Sequence, residues 1–118
     1  MPTRAERERL GLLQGTLDLL ILQLLARDPD HGWGLTMKLE EHSGGVLLVN
    51  QGSLYPALER LTRTGAIRNE WRVTENNRRA RYYLITAAGR KRLATERAAW
   101  RRASAAVNAI LSLAGDTP

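Results

Sequence analysis

Asn50-Gln51-Gly52-Ser53-Leu54-Tyr55-Pro56-Ala57-Leu58-Glu59-Arg60-Leu61-Thr62-Arg63-Thr64-Gly65 reads as one short amphipathic helix with its start and stop included. Asn50 is a strong N-cap, because its side-chain oxygen can take a free first-turn amide. Gly65 ends the helix, where a residue tolerant of positive φ is favoured. Leu54, Leu58 and Leu61 recur at i, i+4 and i+7, with Ala57 beside them, so this face seeks a core. Gly52, Pro56, Glu59 and Arg63 fall opposite, and Ser53 and Tyr55 sit on the flanks. Pro56 removes one backbone hydrogen bond near the start. Gly52, four residues earlier, has no side chain to add to the crowding.

A β-hairpin is expected next. Ala66 to Thr74 and Arg79 to Thr86 carry Trp, Val, Tyr and Ile, residues suited to strands. Glu75-Asn76-Asn77-Arg78 joins them, a turn whose asparagines tolerate positive φ. The hairpin tip is basic, with Arg78, Arg79 and Arg81.

Upstream, Asp30 to His42 reads as a helix with Leu35 and Leu39 on one face, ended by Ser43-Gly44-Gly45. Gly32 and Gly34 either are tolerated in its first turn or permit close packing. Val46 to Val49 is a short extended link to the Asn50 helix. Before these comes Leu17 to Arg27, apolar nearly all round and therefore buried on most sides. Thr16 is its expected N-cap, and Asp28-Pro29 stops it. Residues 1–12 form a charged arm.

Downstream, Thr86 caps a last helix from Ala87 to about Leu113. Leu93, Trp100, Val107 and Ala114 repeat at sevens, with Ala103, Ile110 and Leu111 in the same stripe. That spacing marks a helix-pairing seam, interrupted by Glu96. The tail from Gly115 to Pro118 is expected to fray.

Helix, helix, short turn, helix, hairpin is the order of a winged helix-turn-helix. The chain is therefore expected to be mainly α, in the α+β class. A winged helix-turn-helix domain occupies residues 13–86 and a dimerisation helix residues 87–114. Its third helix offers Asn50, Gln51, Ser53, Tyr55 and Pro56, with Arg60 further along, to base edges and phosphates. The arginines Arg78, Arg79 and Arg81 of the wing suit phosphates or a narrow minor groove. Each has a plainer reading: Tyr55 as a cover for the core edge, the arginines as a solvated surface. Trp33 and Trp71 read as core or core-edge aromatics.

Bulk composition narrows the function. At 118 residues there is room for one domain and an appended element. A hydrophobic share of 43% argues against disorder. The net charge is +6, which suits a polyanionic partner. Half the basic residues fall between Arg78 and Arg102, where Glu96 is the one acid. With no cysteine, disulfides, thiolate metal sites and cysteine nucleophiles are excluded. His31 and His42 lack the further ligands a zinc site needs. No apolar run reaches the ~18 residues of a membrane helix. The N-terminus has no signal-peptide core, so a cytoplasmic protein is expected. The serines have no nucleophile-elbow context, and no phosphate-binding glycine loop is present. Neither an enzyme, a metal nor a cofactor is expected.

The chain resembles the PadR family of transcriptional regulators. The resemblance rests on Leu13-Gln14-Gly15-Thr16-Leu17-Asp18, His31-Gly32-Trp33-Gly34 and Gly52-Ser53-Leu54-Tyr55-Pro56-Ala57-Leu58 with Arg60-Leu61. It continues through Gly65, Ile67 and Trp71, Arg81-Tyr82-Tyr83 with Leu84 and Thr86, and Gly89-Arg90 with Leu93, Glu96 and Trp100. About residues 12–113 are covered. The resemblance implies a dimeric winged-helix repressor on near-palindromic duplex DNA, with Ser53, Tyr55 and Pro56 facing the DNA. Trp33 departs from the family's usual Tyr, so a phosphate-directed hydroxyl is missing. The single C-terminal helix matches a short branch of the family and leaves less protein for an effector pocket. Trp100 is the expected platform if a small aromatic or phenolic inducer binds at the seam, and a packing anchor otherwise. The competing reading is a winged-helix module for protein or RNA interaction. A small-molecule sensor without DNA function leaves the basic wing unexplained.

Overall fold

The computed structural model describes the backbone of residues 4–115 and the side chains of residues 16–115. Helix α1 (Arg4–Arg27) leads to a two-residue strand β1 (Asp30–His31) and helix α2 (Gly32–His42). Helix α3 (Gln51–Arg63), strands β2 (Ile67–Val73) and β3 (Arg79–Ile85), and helix α4 (Ala87–Leu111) follow. Four helices and a three-stranded antiparallel sheet of order β1-β3-β2 make the expected α+β winged helix-turn-helix.

The leucine face of α3 lies at the centre. Leu54, Ala57, Leu58 and Leu61 are fully buried against Leu17, Ile21, Leu22 and Leu25 of α1 and Leu35 and Leu39 of α2. The leucine and isoleucine side chains among them each contribute about 1.5–3 kcal/mol when removed from water. Ile67 and Tyr83 close the core from the sheet. No buried side-chain nitrogen or oxygen among the described residues lacks a hydrogen-bond partner.

The hairpin forms where the sequence puts it. Ile67 pairs with Ile85, Trp71 with Arg81 and Val73 with Arg79. At the turn the Thr74 amide donates to the Arg78 carbonyl at 2.7 Å, and Asn77 takes the positive φ of 58°. Thr86 caps α4: its hydroxyl accepts from the Gly89 amide and stands 2.6 Å from the Gly65 carbonyl oxygen. Gly89 is buried directly on the Ala66 carbonyl, with no room for a Cβ. The start of α4 is thereby seated on the start of β2.

Several expectations need correction. Thr16 does not begin a helix; α1 runs unbroken from Arg4 to Arg27, so the boundary between arm and domain at residues 12 and 13 falls inside it. Residues 1–3 of the arm and 116–118 of the tail lie outside the described residues. Asp30 and His31 are strand rather than helix, because they pair with Tyr83 and Tyr82. The His31 imidazole Nδ1 instead caps α2, accepting from the Gly34 amide at 3.0 Å. Trp33 and Trp71 are not core residues; each is more than half exposed. Leu93 is buried in the chain's own core, since it lies on the first turns of α4, where the helix still covers the domain.

Candidate nucleic-acid interface

The start of α3 is an open polar edge. Asn50 is its exposed N-cap, its Oδ1 accepting from the Ser53 amide at 2.9 Å. Gln51, Gly52, Tyr55 and Pro56 are exposed and Ser53 half-buried. The first amides of a helix have no intrahelical partners, so this end favours an anion. Tyr55 serves two ends at once. Its ring rides on Gly32 of α2, where a Cβ would lie 2.6 Å from the Tyr55 hydroxyl, yet 44% of the residue stays exposed. This settles the role of Gly32: it permits the close approach of α3.

The two faces of the wing treat their arginines differently. On one, Arg68 and Arg72 bracket Glu70, with N···O distances of 3.4 and 2.6 Å. The hydrogen bond from Arg72, helped by Arg68, holds the Glu70 carboxyl below its usual range. Arg72 also lies over the Tyr82 ring, which His31 meets edge-on. On the other face, Arg79 and Arg81 stand over the indole of Trp71, 5.1 and 4.9 Å from the ring centroid. Cation–π contacts at exposed sites contribute about 0.5–1 kcal/mol each. Arg78 is exposed at the turn. Arg78, Arg79 and Arg81 form no ion pair among the described residues, so their charge is not cancelled by carboxylates. Tyr83 lies on the same face as Arg81, and burial pushes its hydroxyl above the usual range, with Arg81 opposing.

Arg60 does not join this group. Its guanidinium donates to Asp18 of α1 at 3.1 Å, and the other Asp18 oxygen takes Arg92 of α4 at 3.3 Å. Arg92 also reaches Glu96 at 3.0 Å. One carboxylate thus ties α3 to α4 through α1. The contact joins residues 42 and 74 positions apart, which local sequence patterns do not reveal.

Along α4, Trp100, Ala103, Val107, Ile110 and Leu111 are exposed, and Leu93 is the one member of the expected stripe that is not. A cleft of about 270 Å³ opens beside Trp100, lined by Thr16, Leu19, Leu20, Gln23, Leu47 and Arg97. Sequence reasoning singled out Trp100 but missed this lining. The leucines of α1 read as buried because that helix is apolar nearly all round, and Leu47 comes from the link before α3. The platform role of Trp71 was also missed; the strand register opposite Arg81 was the available signal.

Among the described residues no cluster of His, Asp or Glu is arranged to hold a metal ion. No described helix is long and apolar enough to cross a membrane. Compared with known proteins, residues 21–95 match the model of the transcriptional regulator PadR-like family. The transcriptional regulator Rv3488 of Mycobacterium tuberculosis is 40% identical over 81 residues, 69% of this chain and 72% of that one. A PadR-like transcriptional regulator from Bacillus cereus superposes with a TM-score of 0.77 at 28% identity, covering 87% of this chain and 98% of that one. A PadR family transcriptional regulator from Eggerthella lenta gives 0.77 at 29% identity over 92% of both chains. Fold, motifs and relatives agree, and the chain belongs to the PadR-like family, whose members are transcription regulators and not enzymes.

Proposed function

We propose that this regulator is a cytoplasmic repressor that binds an inverted-repeat operator in duplex DNA as a homodimer and is released by a small aromatic or phenolic inducer. One observation carries the reading: α3 begins in an open polar edge, and the chain runs from this helix into a wing whose Arg78, Arg79 and Arg81 keep their charge unpaired among the described residues. Asn50, Gln51, Ser53, Tyr55 and Pro56 meet base edges and backbone in the major groove, and the wing arginines take flanking phosphates. Arg60 is held to Asp18 through one terminal nitrogen and stays half exposed, with further N–H donors for a phosphate.

Two copies pair through Trp100, Ala103, Val107, Ile110 and Leu111, an apolar stripe that is exposed in the single chain. Burying such a stripe supplies the association energy. Pairing sets two reading helices about 34 Å apart, one turn of DNA, so an inverted repeat is favoured. The cleft beside Trp100 lies next to that stripe and suits a small aromatic ring, with Arg97 for a carboxylate or phenolate. A ligand there favours a pairing that misplaces the second half-site.

Fluorescence anisotropy of the protein with its own upstream DNA and with a scrambled duplex tests the reading. A preference of at least ~10³-fold, with two chains per site, is expected. Equal, salt-steep binding to both duplexes, or binding to neither, refutes it.

A further inference from the structure

We infer that Trp71 is a positioning residue for DNA binding: its indole holds Arg79 and Arg81 aligned for neighbouring phosphates while leaving their charge free. The inference rests on the DNA-binding reading above and concerns a residue with no place in the core, since Trp71 is 55% exposed. Trp71 faces Arg81 directly in the strand register, and Arg79 is two residues further along the same face of β3. Both guanidinium carbons lie about 5 Å from its ring centroid.

The contrast within the wing gives the contact its meaning. Arg68 and Arg72 are fixed by Glu70, and that carboxylate cancels charge as it orders the side chains. An indole face attracts a guanidinium through its quadrupole and takes no N–H donor out of the guanidinium plane. Arg79 and Arg81 are thus ordered without being neutralised, and less side-chain freedom is lost when they meet a phosphate. The same face of β3 continues to Tyr83, whose buried ring joins the sheet to the core. Residues two apart on a strand are about 6.8 Å apart, a separation that suits two phosphates of one strand.

The test compares wild type, Trp71→Leu and Trp71→Phe, each also in an Arg79→Ala/Arg81→Ala background. Anisotropy is measured with the upstream duplex over a salt series. Trp71→Leu is expected to weaken binding about 5- to 20-fold, with the salt slope unchanged because both cations remain. Trp71→Phe restores binding to within about threefold of wild type. Removing both arginines lowers the slope by about 1.8, and in that background Trp71→Leu has no further effect. The Nε–H resonances of Arg79 and Arg81 in the free protein give a readout independent of DNA. Ring-current shifts are expected in wild type and Trp71→Phe and absent in Trp71→Leu. Wild-type affinity in Trp71→Leu, or an equal loss with and without the arginines, overturns the inference and leaves the DNA reading standing. Wild type binding no duplex overturns both.

Discussion

Replacing Gly89 by Ala reverses the usual sign of a helical glycine substitution. In an exposed helix interior, Gly→Ala stabilises by roughly 0.5–1 kcal/mol. At residue 89 the new methyl would overlap the Ala66 carbonyl oxygen and stand 2.8 Å from the Ile85 side chain. The carbonyl is backbone and cannot rotate away, so α4 must lift from the start of β2. Lifting strains the Thr86 hydroxyl contact to the Gly65 carbonyl and its cap on the Gly89 amide. Overpacking of this kind costs about 1–3 kcal/mol, and a weakened cap about 1 kcal/mol. Set against the propensity gain, the net is a loss of about 1–3 kcal/mol. For a chain of this size that lowers Tm by roughly 4–12 °C. Urea unfolding followed by circular dichroism at a fixed protein concentration measures it, with the midpoint shifting at constant m-value. The exposed neighbour Ala88→Gly serves as a control and should lose about 0.5–1 kcal/mol from propensity alone. A midpoint for Gly89→Ala above wild type would refute the argument that α4 is seated on the Ala66 carbonyl.

Three further outcomes are expected. Val107→Glu places a charge in the exposed stripe of α4 and should convert two chains per particle into one by light scattering, with far-ultraviolet circular dichroism unchanged; a persistent dimer places the seam elsewhere. Asp18→Asn removes the carboxylate shared by Arg60 and Arg92, and both partners are open enough to water that the joint loss should be about 1 kcal/mol. Its check is a double-mutant cycle with Arg60→Gln and Arg92→Gln in urea, and additive losses there would mean that the shared carboxylate does not couple the two arginines. Tyr83 keeps its proton in the folded chain after the unfolded chain has lost it, so stability is unaffected below about pH 10 and falls as pH rises beyond it. Absorbance titration at 295 nm should show a step that burial displaces to higher pH, and Tyr83→Phe should remove it.

Local chemistry made the centre of the fold readable. Asn50, the leucine stripe of α3, the asparagine turn and Thr86 each act within a few residues, and each is where its sequence places it. Features set by distant partners were not readable. Asp30 and His31 sit beside glycines in what reads as a first helical turn, but pairing with Tyr82 and Tyr83 makes them strand. Thr16 resembles a cap only while the preceding residues are taken as an arm. Leu93 has seam spacing along α4, and whether it faces a partner or its own core depends on where the domain ends. The candidate interface residues were legible as a group because the sequence sets them on one helix start and one hairpin. Distant neighbours changed two readings: Arg60, expected at the DNA, pairs with Asp18, and Trp71, expected at the core edge, carries the wing arginines.

The seating of α4 on β2 has a mechanical consequence. Because Thr86 and Gly89 lock the first turn to the head, α4 leaves it as a rigid arm. At 25 residues that arm is about 37 Å long. In the proposed dimer, a tilt of about 5° at the far end of the arm swings the head by about 3 Å over that length. The axial step between base pairs is about 3.4 Å. A repacking too small to disturb either domain, where Ile110 and Leu111 end the proposed seam, would thus be geared up to nearly one base-pair step at the operator.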